Sequence, residues 1–148
     1  MRPHDLGLDD PVWERALPVL QELRPHLTAA QRRAVQAEGA PQGLRFTALL
    51  DGAGEGGGDA GAVLAVAGWR LMAMTTSGRS LYVDDLVTTA TRRSTGAGQA
   101  LLAELERRAR AAGCTRLALD SGVHRFEAHR FYLRERMRIA AHHFEKDL

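Results

Sequence analysis

Cysteine is nearly missing from this 148-residue chain, with Cys114 the single example. No intrachain disulfide and no cysteine-built metal site can therefore form, and a reducing, cytoplasmic setting is expected. Lysine is as scarce: Lys146 stands alone, so arginine carries the positive charge. The formal net charge is only +2 with a basic pI near 9.2. No dense basic run occurs, and aromatic residues at 5% are not interleaved with arginine, so nucleic acid is not an expected partner. Long apolar runs are missing too. The longest, Gly61–Trp69, falls far short of the roughly 20 residues that span a bilayer, and the first ten residues lack the apolar centre of a signal peptide. No membrane partner is expected.

What is present is a core-forming composition, 45% hydrophobic, over a length typical of one domain, 1–148. Asp10–Leu23 reads as a first helix, capped by Asp9 or Asp10, with Pro11 in its first turn and Pro18 bending or breaking it. After the break at Arg24–Leu27, Thr28 caps a second helix to about Glu38, stopped by Gly39 and Pro41. Leu44–Leu50, Ala62–Met74 and Leu81–Thr88 read as three strands with short turns, an antiparallel meander. Ala97–Ala112 then carries Leu101, Leu105 and Ala109 at helical spacing, and Gly113 ends it. Cys114–Asp120 reads as a strand, which makes a strand–helix–strand unit and favours a parallel pair. Glu127–Glu135 is a last helix and Arg138–Leu148 a final strand. This is an α/β (α+β) fold: a mixed, mostly antiparallel sheet flanked by helices.

Two glycine-rich places compete as phosphate sites. Gly52, Gly54 and Gly57 fit the G-x-G-x-x-G spacing, but that fingerprint needs a following helix, and a strand follows here. The second, Arg92–Gly98, follows a strand and opens a long helix. Backbone N–H groups at a helix start are unpaired and carry partial positive charge. Gly96 and Gly98 let a phosphate approach the backbone, Ser94 and Thr95 add hydroxyls, and Arg92 and Arg93 add charge. The segment suits a phosphate or pyrophosphate.

Arg93-Ser94-Thr95-Gly96-Ala97-Gly98 is R-x-x-G-x-G, and it resembles the coenzyme A pyrophosphate loop of the GNAT superfamily of N-acetyltransferases. The preceding strand, with Asp85 eight positions before Arg93, is similar to that family's central strand. Ala128–Met137 resembles its second motif, most nearly as found in aminoalkylphosphonate-type small-molecule N-acetyltransferases. The resemblance implies a fold (the GNAT fold) and acetyl-CoA as co-substrate. The loop Arg92, Arg93, Ser94, Thr95, Gly96, Ala97, Gly98 and Gln99 would hold its pyrophosphate, and the backbone of Val87 and Thr88 its pantetheine arm. Where Arg136 and Met137 stand, the family usually has glycine then an aromatic residue. Arginine at a left-handed turn there costs on the order of 1 kcal/mol.

Direct acyl transfer to a primary amine of a small molecule follows, with Asp85 as base and Tyr132 as acid for the coenzyme thiolate. Neighbours in a strand point to opposite faces, so Asp84 and Asp85 are not both expected in the same pocket: Asp85 is the base in this register, with Asp84 counted on the substrate side, and Asp84 takes the role if the register is shifted by one. Between the first two helices, Arg24 and His26 are candidates to bind an anionic group of the substrate, such as a carboxylate or phosphonate. Trp69 and Arg70 are candidates for a second wall. No metal is expected, because His124 and His129 are five apart and His142 and His143 are adjacent on a strand. Alternatives are a non-catalytic acyl-CoA-binding module and a protein N-acetyltransferase. A homodimer is among the expectations, since relatives often pair.

Overall fold

The computed structural model describes residues 1–52, 61–92 and 95–148, in two units, Met1–Ala118 and Leu119–Leu148. In the first, a strand β1 (Arg2–Asp5) leads to helices α1 (Trp13–Gln21) and α2 (Ala29–Gly39). Strands β2 (Arg45–Leu50), β3 (Val63–Met74) and β4 (Gly78–Thr88) follow, then helix α3 (Ala97–Ala111) and strand β5 (Arg116–Leu119). The strands lie in sequence order, β1-β2-β3-β4-β5, and the first three pairings are antiparallel. Thr115 N–H donates to Arg79 O at 2.9 Å, so the start of β5 meets the start of β4, as a parallel pair joined through α3 requires.

Local chemistry places most of these boundaries. The Thr28 hydroxyl accepts from Gln31 N–H while the Gln31 side chain accepts from Thr28 N–H, a complete capping box at the start of α2. Asp10 Oδ1 accepts from Val12 N–H just before α1. Pro18 lies inside α1 without ending it. The ring removes one donor from a short helix, and burial of Trp13, Ala16, Val19 and Leu20 carries the rest.

These α1 side chains pack on Leu44, Phe46, Ala48, Leu50, Val63 and Val66 from the sheet. Trp13 meets Phe46 edge to face, with centroids 5.2 Å apart. Opposite, α3 buries Ala97, Leu101, Leu102, Leu105 and Ala109. Strand alternation sorts the two faces: Phe46 goes to α1, while Thr47 accepts from Arg108 of α3 and from Trp69 Nε1. Trp69 therefore packs on the α3 face, under the Arg108 guanidinium, and forms no wall with Arg70.

The glycine-rich connection 53–60, which includes Gly54 and Gly57, lies outside the described residues. The next described element is β3. In the second unit, helix α4 runs over Phe126–Arg134. The expected final strand at Arg138–Leu148 does not form: residues 137–148 carry no helix or strand. Ile139 and Phe144 are exposed there, and no ladder partner gives extended backbone its hydrogen bonds. His143 Nδ1 lies 2.8 Å from Asp120 Oδ2. No described helix is long and apolar enough to cross a membrane.

Candidate active site

The geometry of the site begins with one irregularity. Opposite β3, Gly68 pairs with Asp85 but Trp69 pairs with Val83, so Asp84 is an extra residue on β4. Such a bulge interrupts strict alternation. Both aspartates consequently line one cavity of about 300 Å³, together with Arg24, His26, Arg32, Phe46 and Arg70. The expectation that only one of them could enter the pocket assumed an unbroken pleat, and the bulge overturns it.

Each aspartate is held by its own arginine. Arg70 grips Asp84 with two prongs, Nε to Oδ2 at 3.0 Å and an Nη2–Oδ1 contact of 3.0 Å. Arg24 donates from Nε to Asp85 Oδ1 at 2.8 Å and from Nη2 to the Asp84 carbonyl at 3.5 Å. Thus Arg24 and His26, from the break between α1 and α2, share the cavity with Asp84 and Asp85, and Arg70 joins them from β3.

Arg32 was not foreseen. Its position in α2 reads as a surface site, since nearly every other residue of that helix is polar or small. The fold buries it to 8% exposure. Its guanidinium stacks 4.3 Å from the Trp13 ring centroid, and Nη1 donates to Leu8 O and to Gln36 Oε1. Burial, and then the charge of Arg33, pull its pKa below the ordinary arginine value, with Asp9 acting the other way. Glu22, also unforeseen, stands at the end of α1. It accepts from Thr89 Oγ1 at 3.0 Å and from Ala90 N–H at 2.8 Å. It thereby fixes the chain where β4 gives way to the loop before α3.

That loop carries the expected phosphate residues. Arg93 and Ser94 lie outside the described residues. Arg92 ends a short 3-10 turn and accepts on its carbonyl from Thr95 Oγ1 at 2.7 Å. Gly96 is the N-cap of α3, with φ of 81°, no side-chain cap and no acidic residue in the first turn. Among the described residues, a side chain there would meet nothing within 4 Å. Ala97, Gly98 and Gln99 form that first turn. The unpaired N–H groups of such a helix N-terminus carry partial positive charge, which suits an anion. Val87 and Thr88 close β4, facing Val66 and Ala65 in register.

Tyr132 lies in the second unit, on α4, with its ring edge to face with Phe131 at 5.4 Å. Burial pushes its hydroxyl above the ordinary phenol value, against the opposing charge of Arg125.

A mixed sheet with a bulged, acid-bearing central strand that leads into a glycine-opened helix is the arrangement of a coenzyme A-dependent acyltransferase. The comparisons agree: residues 13–136 match the model of the acetyltransferase (GNAT) family, and the chain belongs to that family. It is an acetyl-CoA-dependent acyltransferase of the N-acetyltransferase kind. Among curated relatives, an uncharacterized N-acetyltransferase of Bacillus subtilis (strain 168), YhdJ, is 34% identical over 123 residues, which cover 81% of this chain and 80% of that protein. Solved structures share the fold at lower identity. A Trypanosoma brucei acetyltransferase is 20% identical with a TM-score of 0.75, covering 99% of each chain. An aminoglycoside N-acetyltransferase solved in complex with CoA is 12% identical with a TM-score of 0.80, covering 99% of this chain and 93% of that one.

Proposed function

We propose that the chain, as one acyltransferase domain over 1–148 in a cytoplasmic setting, acetylates a primary amine of a small molecule held in the cavity. The observation that carries this reading is the pair of carboxylates, Asp84 and Asp85, turned into one cavity on the strand that leads to the Gly96 helix start. A cavity of about 300 Å³ is at the small end of ligand sites, which favours a metabolite-sized amine over a protein segment. Arg24 and His26 bound it, and an anionic group on the acceptor, carboxylate or phosphonate, suits them.

Asp84 and Asp85 attract the ammonium form of the acceptor. An alkylammonium with a pKa of roughly 10 must lose a proton before it can attack, and Asp85 takes that proton, directly or through a water. The Arg24 contact occupies Oδ1 and orients the carboxylate. Thr89 N–H donates to Leu64 O across the β3 side, so strand alternation turns the Thr88 backbone to the other edge. The four residues of β5 begin opposite Arg79 and fall short of that end of β4. Open backbone there supports hydrogen bonds to the pantetheine arm and to the carbonyl oxygen as charge develops on it. Arg92, Arg93, Ser94, Thr95 and the first turn of α3 would hold the pyrophosphate. Acetyl-CoA, when bound, supplies the acetyl thioester: a nitrogen–carbon bond forms as the carbon–sulfur bond breaks. Tyr132 is the proton donor for the sulfur in this reading, and its raised pKa keeps it protonated at neutral pH.

The test is calorimetric titration of acetyl-CoA into wild type and Gly96→Glu. Glutamate at φ of 81° strains the turn and puts negative charge at the helix start. Micromolar binding to wild type and at least tenfold weaker binding to the variant are expected. Equal binding would place the coenzyme elsewhere. Binding without turnover of any amine would leave an acyl-CoA-binding module instead.

A further inference from the structure

Two side chains leave the end of α1 and reach the chain of β4. Arg24 holds Asp85 within the strand. Glu22, two residues earlier, holds the chain just past it: Oε1 accepts from Thr89 Oγ1 at 3.0 Å, and Oε2 accepts from Ala90 N–H at 2.8 Å. Thr89 is buried, and its N–H donates to Leu64 O at 3.0 Å. Its one hydroxyl proton goes to Glu22, so Thr91 Oγ1 is the donor in the 3.2 Å contact between the two threonines. Further bonds carry this position forward. Arg92 N–H donates to Thr89 O at 3.1 Å and Thr95 Oγ1 to Arg92 O at 2.7 Å, and Gly96, the N-cap of α3, comes next. The support behind Glu22 is firm: Val19 and Leu20 are buried, Glu22 N–H donates to Val19 O, and Gln21 Nε2 bridges to Leu27 O at 2.8 Å.

Glu22 itself is exposed, and hydrogen bonds in water add little net stability. Its charge also works against an anion at the loop that follows. What its two bonds do achieve is to fix the chain at Thr89 and Ala90, between the end of β4 and the start of α3.

We propose that Glu22 is a positioning residue for coenzyme A. It aligns the two sides of the joint at Thr89 and Ala90, so that one extended ligand meets the backbone of Val87 and Thr88 with its pantetheine arm and the start of α3 with its pyrophosphate. Two half-sites held in register bind a linked ligand more tightly than two that move independently. The proposal rests on the coenzyme reading above and adds a residue that acts through the backbone.

Calorimetric titration of acetyl-CoA and of its nucleotide half, adenosine 3′-phosphate 5′-diphosphate, into wild type, Glu22→Gln and Glu22→Ala tests it. Glutamine keeps one acceptor oxygen and alanine keeps none. Expected is acetyl-CoA binding weakened about tenfold in Glu22→Ala and less in Glu22→Gln, with the thermal midpoint within about 3 °C of wild type. The nucleotide half should bind as before or more tightly, because it meets one side of the joint only and a negative charge has been removed. Charge alone would tighten both ligands, so acetyl-CoA binding that is unchanged or tighter in the variants overturns the proposal. An equal loss for both ligands overturns it too, since Glu22 would then support the loop and not the alignment of its two sides. Where the nucleotide half binds none of the proteins, acetyl-CoA decides alone. If Glu22→Ala melts lower or does not fold, Glu22→Gln decides by the same criteria. Wild type that fails to bind acetyl-CoA ends the coenzyme reading and this proposal together, whereas binding in wild type with no loss in the variants ends this proposal only.

Discussion

A methyl group added at Gly68 would stand 2.9 Å from Phe46 Cε1 and 3.2 Å from Asp85 Oδ2. The Asp85 carboxylate thus occupies room that exists because its cross-strand partner has no side chain. Proximity alone does not make it a base, and its ion pair with Arg24, whose side chain is about half exposed, adds little to stability. Replacing Asp85 by Asn keeps the shape and an oxygen acceptor for Arg24 but removes proton uptake. We expect Asp85→Asn to lower kcat by about a hundredfold or more, with thermal stability within about 1 kcal/mol of wild type. Asp84→Asn leaves Arg70 without its two-pronged partner and should act mainly through KM for the amine. Equal, small effects on kcat for the two variants would mean that neither carboxylate takes the proton. Single-turnover rates with saturating acetyl-CoA make the comparison.

Two helices of this chain end in the same way with different residues. After α3, Gly113 N–H donates to Arg110 O and Cys114 N–H to Ala109 O, with Gly113 at φ of 71°. After α4, Arg136 N–H donates to Leu133 O and Met137 N–H to Tyr132 O, with Arg136 at φ of 63°. Both are Schellman turns, and both need a left-handed residue. Glycine takes that conformation freely, whereas an L side chain is strained in it. Arg136 is the only described non-glycine residue at positive φ. We expect Arg136→Gly to stabilise the protein by roughly 0.5–1 kcal/mol, part of the relief being offset by the greater freedom of glycine in the unfolded chain. Urea unfolding measures it. A lower midpoint in the variant would mean that the arginine side chain makes contacts worth more than the strain.

Across the whole molecule, what was legible in the sequence is what neighbours in sequence decide. Thr28, Gly113 and the 3.6-residue spacing of Leu101, Leu105 and Ala109 act locally, and the elements they predict stand where they were read. The order of elements from α1 to α4 and the glycine-opened helix were legible for the same reason, whereas β1 at Arg2–Asp5 was not read, since only its pairing with β2 makes it a strand. The bulge at Asp84 was not, because it exists only in the register between β3 and β4, and Arg32 was not, because only tertiary packing against Trp13 buries it. The final strand failed because alternation of side chains cannot supply a partner ladder. A second long-range cluster ties the sheet to α3, on the face opposite the cavity. Arg108 reaches Asp5 of β1 at 2.6 Å, Thr47 of β2 at 3.3 Å and Glu104 at 2.7 Å. Glu104 is the acid at its centre. The Arg107 hydrogen bond lowers its pKa most and those of Arg108 help, burial opposing both, and the carboxyl ends at about 2 against an ordinary 4.5. A carboxyl depressed by folding stabilises the folded state fully above its unfolded pKa, and that contribution is lost as the pH falls through the folded one. The difference in unfolding free energy between wild type and Glu104→Gln should therefore be constant from neutral pH to about 4.5 and shrink toward pH 2. Taking the difference cancels the other carboxylates, which titrate in both proteins. A gap that stays the same down to pH 2 would show that the arginines hold the Glu104 side chain by its shape and hydrogen bonds, with its ionisation contributing nothing to the tie between α3 and the sheet.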